Sequence, residues 1–396
     1  MSIYDAQRLL DITTRLQLYV EGVKQEQAKQ FNNVMFDLNA ELKKLLNNIS
    51  YKTLDGLTKA QLNKLIVSVR SVQREIYSTY TQNVLDQLEA FSNVALEVNQ
   101  IMYASELFNI KLTSITENQS YDELVSEAEK NNIKGLPIFK KDEYQVLNQT
   151  QAILLLTLIA NRKIIPLFGI SAITTNDAAK LWAKIQSEPI PANGIYIEPF
   201  VNGFGVVAQS TVENAIRKAY ANGETVEDLR DEFFGNSETG ITQQGKSSII
   251  NKIENANKSV IDTAVQHVCQ NISAAVSSII SNLYVWLSVI DSKTSDICRG
   301  RNLQVYEYGK GPLPPAHEHC RSHTAPIMGT QEELPAISFF TWLDRQPSII
   351  QDDILGETDA ERLRAGKLQA NELAKFRSRT PLTLSEFSDK IEKILL

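Results

Sequence analysis

The chain has 396 residues, 43% of them hydrophobic, which is enough to bury cores in two or three domains and excludes a disordered tail. Its 40 lysines and arginines are mixed along the chain with 47 acidic residues, for a net charge of −7, so it lacks the basic field of a dedicated nucleic-acid binder. The three cysteines, Cys269, Cys298 and Cys320, are too few for a disulfide framework and agree with synthesis in a reducing compartment.

The opening residues "MSIYDAQRLL" carry no basic region followed by an apolar run and a small-residue cleavage site. The longest apolar run, Ala152 to Ala160, is well short of the roughly 20 residues of a membrane span. A soluble chain made in a cytoplasm, with no membrane partner, is expected.

From Leu9 to Ile49 apolar residues recur at helical spacing (Leu16, Val23, Phe31, Leu38, Leu42) among Gln, Asn, Lys and Glu, predicting one long amphipathic helix or two in series. After "SYKTLDG", Thr58 and Gln61 have the spacing of a capping box, with Leu57 placed as a hydrophobic staple. A sustained stripe then runs from Leu62 through Val69, Tyr80, Leu88 and Phe91 to Met102, predicting a helix of more than 40 residues that folds back on the first as an extended antiparallel hairpin. Such a stripe serves core or partner packing and suits a spacer or assembly element.

Residues 109–150, Asn/Gln-rich with a Gly-Leu-Pro break at 135–137, read as a connection. From 151 to 235, short helices are expected between turn-rich pieces such as "EPFVNGFGVV". Gly203-Phe204-Gly205 in that piece lacks the third glycine and βαβ frame of a dinucleotide site.

Residues 240–247, "GITQQGKS", match the phosphate-loop pattern G-x-x-x-x-G-K-[ST] from Gly240 to Ser247. The pattern works only where a buried strand feeds the loop and a helix leaves it, so that backbone N–H groups converge on phosphate. "TVEDLRDEFFGNSET" before Gly240 reads as a short helix and a polar turn, so a Gly-flanked loop opening a helix near Lys246 is expected. Nucleotide hydrolysis stands as one alternative, with "LYVWLSVID" ending in Asp291 as its candidate magnesium strand, and a weak, non-specific DNA-binding module as the other.

Unusual chemistry concentrates in "DSKTSDICRGRNLQVYEYGKGPLPPAHEHCRSHTAPIM", residues 291–328. Asp291 and Thr294 can form a local turn, and the Gly/Pro-rich run after Tyr308 forces an irregular loop presenting "HEHCRSH". Cys298, His317, His319, Cys320 and His323 are candidate metal ligands, with Cys298, His317, Cys320 and His323 the preferred set for zinc. Three other uses stay open: a Cys298–Cys320 disulfide, a packed and hydrogen-bonded motif, and a thiol nucleophile with His317 as base. Arg299, Arg301, Lys310 and Arg321 are nearly balanced by Asp291, Asp296, Glu307 and Glu318, the pattern of a solvated surface.

This block resembles the phage minor head protein family, the head morphogenesis proteins named after the F protein of phage Mu. The resemblance rests on Asp291, Thr294, Cys298, Pro314-Pro315, His317, Cys320-Arg321 and Pro326, on "SVIDTAVQHVCQNISAAV" upstream, and on "FFTWLDRQPSIIQDDILG" with "LTLSEF" downstream. Members often carry an Asp-Gly pair after the cysteine, where this chain has "CRGRNLQVY".

The resemblance covers roughly residues 240–390. It implies a non-enzymatic virion component present in several copies, acting in head assembly and in genome packaging or delivery. Its expected place is the capsid interior near the portal, after assembly in the host cytoplasm, and its expected partners are the portal, other capsid or scaffold proteins and, weakly, the packaged DNA. It also implies a structural motif of Asp291, Thr294, Cys298, His317, Cys320 and Arg321 without cofactor chemistry, structural zinc aside.

The expected fold is mainly α: a long helical hairpin and connection (1–150), an intermediate helical region (151–239), a small α+β domain (240–345) and a helical tail (346–396).

Overall fold

The computed structural model describes residues 3–107, 119–120, 146–147, 175–236, 239–278, 281–289, 294–327, 343–346, 348–369, 383–384 and 386. The protein is mainly α-helical with a small three-stranded antiparallel sheet near the C-terminus. Among the described residues no helix is long and apolar enough to cross a membrane.

Helix α1 (Ile3–Asn47) and helix α2 (Lys59–Leu107) form the predicted hairpin as two single long helices. They run antiparallel, with Gln87 Nε2 donating to Gln30 Oε1 at 2.9 Å and the rings of Phe31 and Tyr80 4.8 Å apart. The predicted stripe residues Leu16, Val23, Phe31, Leu38, Leu42, Leu62, Val69, Leu88 and Phe91 are buried. The capping box forms: Thr58 N–H donates to Gln61 Oε1 at 2.8 Å and Gln61 N–H to Thr58 Oγ1 at 3.3 Å, while Leu57 is buried beneath.

The expected connection at 109–150 lies mostly outside the described residues, apart from a two-residue antiparallel pair, β1 (Gln119–Ser120) with β2 (Val146–Leu147). Helix α3 (Thr175–Ser187) follows, then α4 (Ile197–Asn222) and α5 (Val226–Phe234). The turn-rich reading of "EPFVNGFGVV" is corrected here, because the whole piece lies inside α4. Gly205 has a packing reason: α4 crosses α2 so closely that a Cβ there would sit 3.1 Å from Tyr77 Cβ, and Phe204 beside it packs edge-on to Phe31, Tyr77 and Tyr80. Close helix contact thus outweighs the usual penalty of glycine within a helix.

Helix α6 (Ile249–Ser277), capped by Ser248 Oγ accepting from Asn251 N–H, is buried on nearly every side and is the central rod of the molecule. Strand β3 (Leu283–Leu287) lies between β4 (Val305–Glu307) and β5 (His323–Pro326), antiparallel to both, and a short helix α7 (Asp296–Arg301) joins β3 to β4. Helices α8 (Ser348–Leu355) and α9 (Glu357–Arg364) bury Ile350, Ile354, Leu355 and Leu363 in a cluster with Leu18 of α1 and Val289.

One apolar core runs from α1 and α2 through α3, α4 and α5 to α6, so the hairpin shares its interior with the helices after residue 175. A polar seam crosses this core. Gln17 and Gln266 exchange side-chain amide bonds at 2.9 and 3.0 Å, and Lys24, 1% exposed, donates to Glu21 Oε1 and Gln266 Oε1 at 2.6 Å each. Gln266 Nε2 also donates to the Ser322 carbonyl at 2.6 Å, and the Thr324 N–H donates to Gln270 Oε1 at 3.0 Å. The seam fastens α1 and the sheet to the same two residues of α6, and its members satisfy one another as buried polar groups must.

Candidate functional site

Alternation along β3 sorts its side chains onto two faces. Val285 and Leu287 pack with Ala325 and Ile327 on one face, and Trp286 packs with Cys298 and Cys320 on the other. The indole N–H of Trp286 donates to Ser288 Oγ at 2.9 Å, and Ser288 Oγ in turn donates to the Cys298 carbonyl at 2.8 Å. Thr294 Oγ1 donates to the Val289 carbonyl at 2.6 Å. Ser295 then caps α7, its Oγ accepting from Cys298 N–H at 3.3 Å, which fixes Cys298 in the first turn against Trp286.

The other half of the site is delivered by the irregular loop. Gly311 passes tightly beneath Tyr306 and Tyr284, and the Tyr284 hydroxyl donates to the Pro312 carbonyl at 2.5 Å. The "HEHC" segment is then held on α6 by two contacts. Ser259 Oγ donates to Glu318 Oε2 at 2.6 Å, and His319 Nδ1 lies 2.7 Å from Asp262 Oδ2. Burial alone would raise the Asp262 pKa, but the His319 hydrogen bond and the charges of Lys24 and Lys258 hold it below its ordinary value.

Pinned in this way, His317, Cys298 and Cys320 meet. Cys298 Sγ lies 3.1 Å from His317 Nε2 and 3.7 Å from Cys320 Sγ, and the three ligand atoms all fall within 4.8 Å of one another. Both cysteines are buried and unbridged, while His317 stands half-buried toward solvent. His317 Nδ1 lies 2.7 Å from the Glu318 carbonyl, an acceptor only, so Nδ1 donates there and Nε2 is the ring nitrogen turned to the sulfurs. The hydrogen bond from Cys320 holds the Cys298 pKa down to about 6, and the same bond together with burial pushes Cys320 up.

Of the four residues preferred for zinc, the structure gathers Cys298, His317 and Cys320 and places His323 elsewhere. His323 pairs across β5 with Leu287, which puts it on the opposite face of the sheet from Trp286 and the cysteines, and its Nε2 lies 3.2 Å from Thr14 Oγ1 of α1. His319 is likewise taken by Asp262. Arg321 stands half-buried between Cys320 and Ser322, and Asp291 lies outside the described residues. Sequence reasoning missed Ser295, although a serine followed by an acid is an N-cap pattern, and it missed Ser288, for which the sequence carries no signal.

The Gly240–Ser247 segment is a closed turn. Gly240, Thr242, Gly245 and Ser248 give their N–H groups to the carbonyls of Asn236, Lys246, Thr242 and Gly240, and the Gln243 N–H donates to the Asp231 carboxylate at 2.9 Å. The element before it is helix α5 rather than a strand. N–H groups spent on internal acceptors form no phosphate cradle.

Around the cysteines, Arg301 stacks over Trp286 at 5.1 Å from the ring centroid, and Lys310 pairs with Glu307 at 2.8 Å. Compared with known proteins, the chain matches no protein-family model, no curated protein and no solved structure.

Proposed function

We propose that the protein is a structural component of a phage virion, a minor head protein of the head-morphogenesis type that works beside the portal in capsid assembly and in packaging or delivery of the genome. One observation carries this reading. Cys298, His317 and Cys320, described residues on which the family resemblance rests, meet behind β3 in a segment that Thr294 ties to Val289 and that Glu318 and His319 tie to α6, a brace between sheet, loop and helix. The long α1–α2 hairpin suits the same role, since an extended helical element reaches partners at a distance. Portal and capsid or scaffold proteins are the partners this role requires, in several copies per particle inside the head. Contact with DNA is weak and steeply salt-dependent, because cations such as Lys310 and Arg301 are already engaged.

A thiol-nucleophile reading would use Cys298 and His317, which are in contact. It is disfavoured because Cys298 is 3% exposed behind Trp286, where a substrate carbonyl cannot approach its sulfur. The test is mass spectrometry of purified particles from cells producing the phage that encodes the chain. The protein is expected in mature heads and in complexes captured with the portal. Absence from particles, with all of the protein free in the lysate, would sink the proposal.

A further inference from the structure

We propose that Cys298, His317 and Cys320 bind one zinc ion, with water as the fourth ligand, and that this ion staples helix α7 to the irregular loop. The inference stands apart from the virion reading, since it concerns the purified chain alone.

Spacing comes first. Zinc–sulfur and zinc–nitrogen bonds of about 2.3 and 2.0 Å at a tetrahedral angle put two sulfurs about 3.8 Å apart, and a sulfur and a nitrogen about 3.5 Å apart. The two sulfurs lie 3.7 Å apart, already at the tetrahedral spacing, while Cys298 Sγ to His317 Nε2 measures 3.1 Å and all three ligand atoms lie within 4.8 Å of one another, so the imidazole is the part that has to adjust. The imidazole is prepared as well. A ligating histidine holds its second ring nitrogen on a carbonyl or carboxylate, and His317 Nδ1 does so at the Glu318 carbonyl.

Chemistry and packing agree. Two thiolates, formed as the cysteines release their protons to solvent on binding, and an imidazole are the soft set that selects zinc over magnesium or calcium. Among the described residues the apolar contact behind the strand holds Trp286, Cys298 and Cys320, with Tyr306 and Ala316 at its edge. That is little to hold a loop whose two cysteines are 22 residues apart. Among the described residues no fourth His, Cys, Asp or Glu joins the group, and His317 marks its solvent side, which leaves water to complete the coordination.

The experiment uses the full chain, purified under reducing conditions and dialysed against zinc or cobalt(II). About one zinc per chain is expected, with a cobalt form showing sulfur-to-metal charge transfer and the strong visible bands of tetrahedral coordination. Cys298→Ser and His317→Gln should each weaken zinc at least about 10-fold, whereas His323→Gln and Cys269→Ser keep it. Should the ligand variants fail to fold, the wild-type cobalt spectrum and the two retaining variants still decide. Less than a tenth of an equivalent of zinc, a weak octahedral cobalt spectrum, or full binding by folded His317→Gln would overturn the proposal.

Discussion

The ring of His323 and the hydroxyl of Thr14 meet at 3.2 Å across 309 residues of sequence. The contact ties the edge strand β5 to the first helix, and the imidazole that makes it is buried. Burial pushes the His323 pKa down to about 3, and that of His267 in α6 down to about 4, from an ordinary 6.5. Both rings are therefore neutral in the folded protein through the mildly acid range.

Stability should fall as the solution is acidified. Above pH 6.5 each ring is neutral whether the chain is folded or not, and the stability is fully present. Below that value the unfolded chain takes up protons that the folded chain refuses until about pH 4 for His267 and about pH 3 for His323. Each imidazole thus removes about 1.4 kcal/mol per pH unit. Urea melts between pH 7.5 and 5 should show this slope, and His323→Gln should flatten part of it. A profile unchanged by the substitution would mean that the ring titrates freely.

Lys24→Ala should be among the most damaging changes to the hairpin. It strands the Glu21 carboxylate in the core and removes a donor to Gln266, at a cost of about 3–5 kcal/mol. Lys24→Met combined with Glu21→Gln should recover most of the loss, since the charge goes with its partner. A single variant that melts like the parent would show that water reaches this seam.

Gly311→Ala tests the loop without touching the cysteines. An added Cβ would overlap Tyr306 Cβ and lie 2.5 Å from the Tyr284 hydroxyl, which already holds Pro312. Forcing these rings apart should cost about 1–3 kcal/mol. Thermal melts read by tyrosine fluorescence should report it, with the hairpin's helical signal unchanged at temperatures where the loop has opened.

Nucleotide should have no effect on the purified protein. The turn from Gly240 to Ser247 spends N–H groups on its own carbonyls and on Asn236 and Asp231, so ATP with magnesium should neither raise the melting temperature nor be hydrolysed. Micromolar affinity that disappears in Lys246→Ala would restore the hydrolase alternative.

The two long helices were readable because periodicity and capping are local. Thr58, Gln61 and the stripe from Leu62 to Phe91 stand in the structure as the spacing demands. Helix α4 was not, since Gly205, which looks like a turn residue, answers to Tyr77 on another helix. The polar seam left no trace either, because Gln17, Lys24, Gln266 and Gln270 have the composition of a solvated face and become interior only when α6 is enclosed. At the site, the crowding of Cys and His in one block announced the cluster. Whether His323 joins His317 at the cysteines depended on which face of β5 its ring takes, and that register is set by pairing with Leu287 rather than by local sequence.

The polar seam also sets an order of events during synthesis. Gln17 and Lys24 leave the ribosome early, yet their partner Gln266 and the strand that supplies Thr14's partner come about 240–310 residues later. At about 5–20 residues per second, the amino-terminal half of α1 waits on the order of tens of seconds with a buried-type face uncovered. The other half of the hairpin can close on α2 meanwhile, so the nascent chain is a zipped hairpin with one open end. That open end is where a chaperone or a second nascent chain would find it.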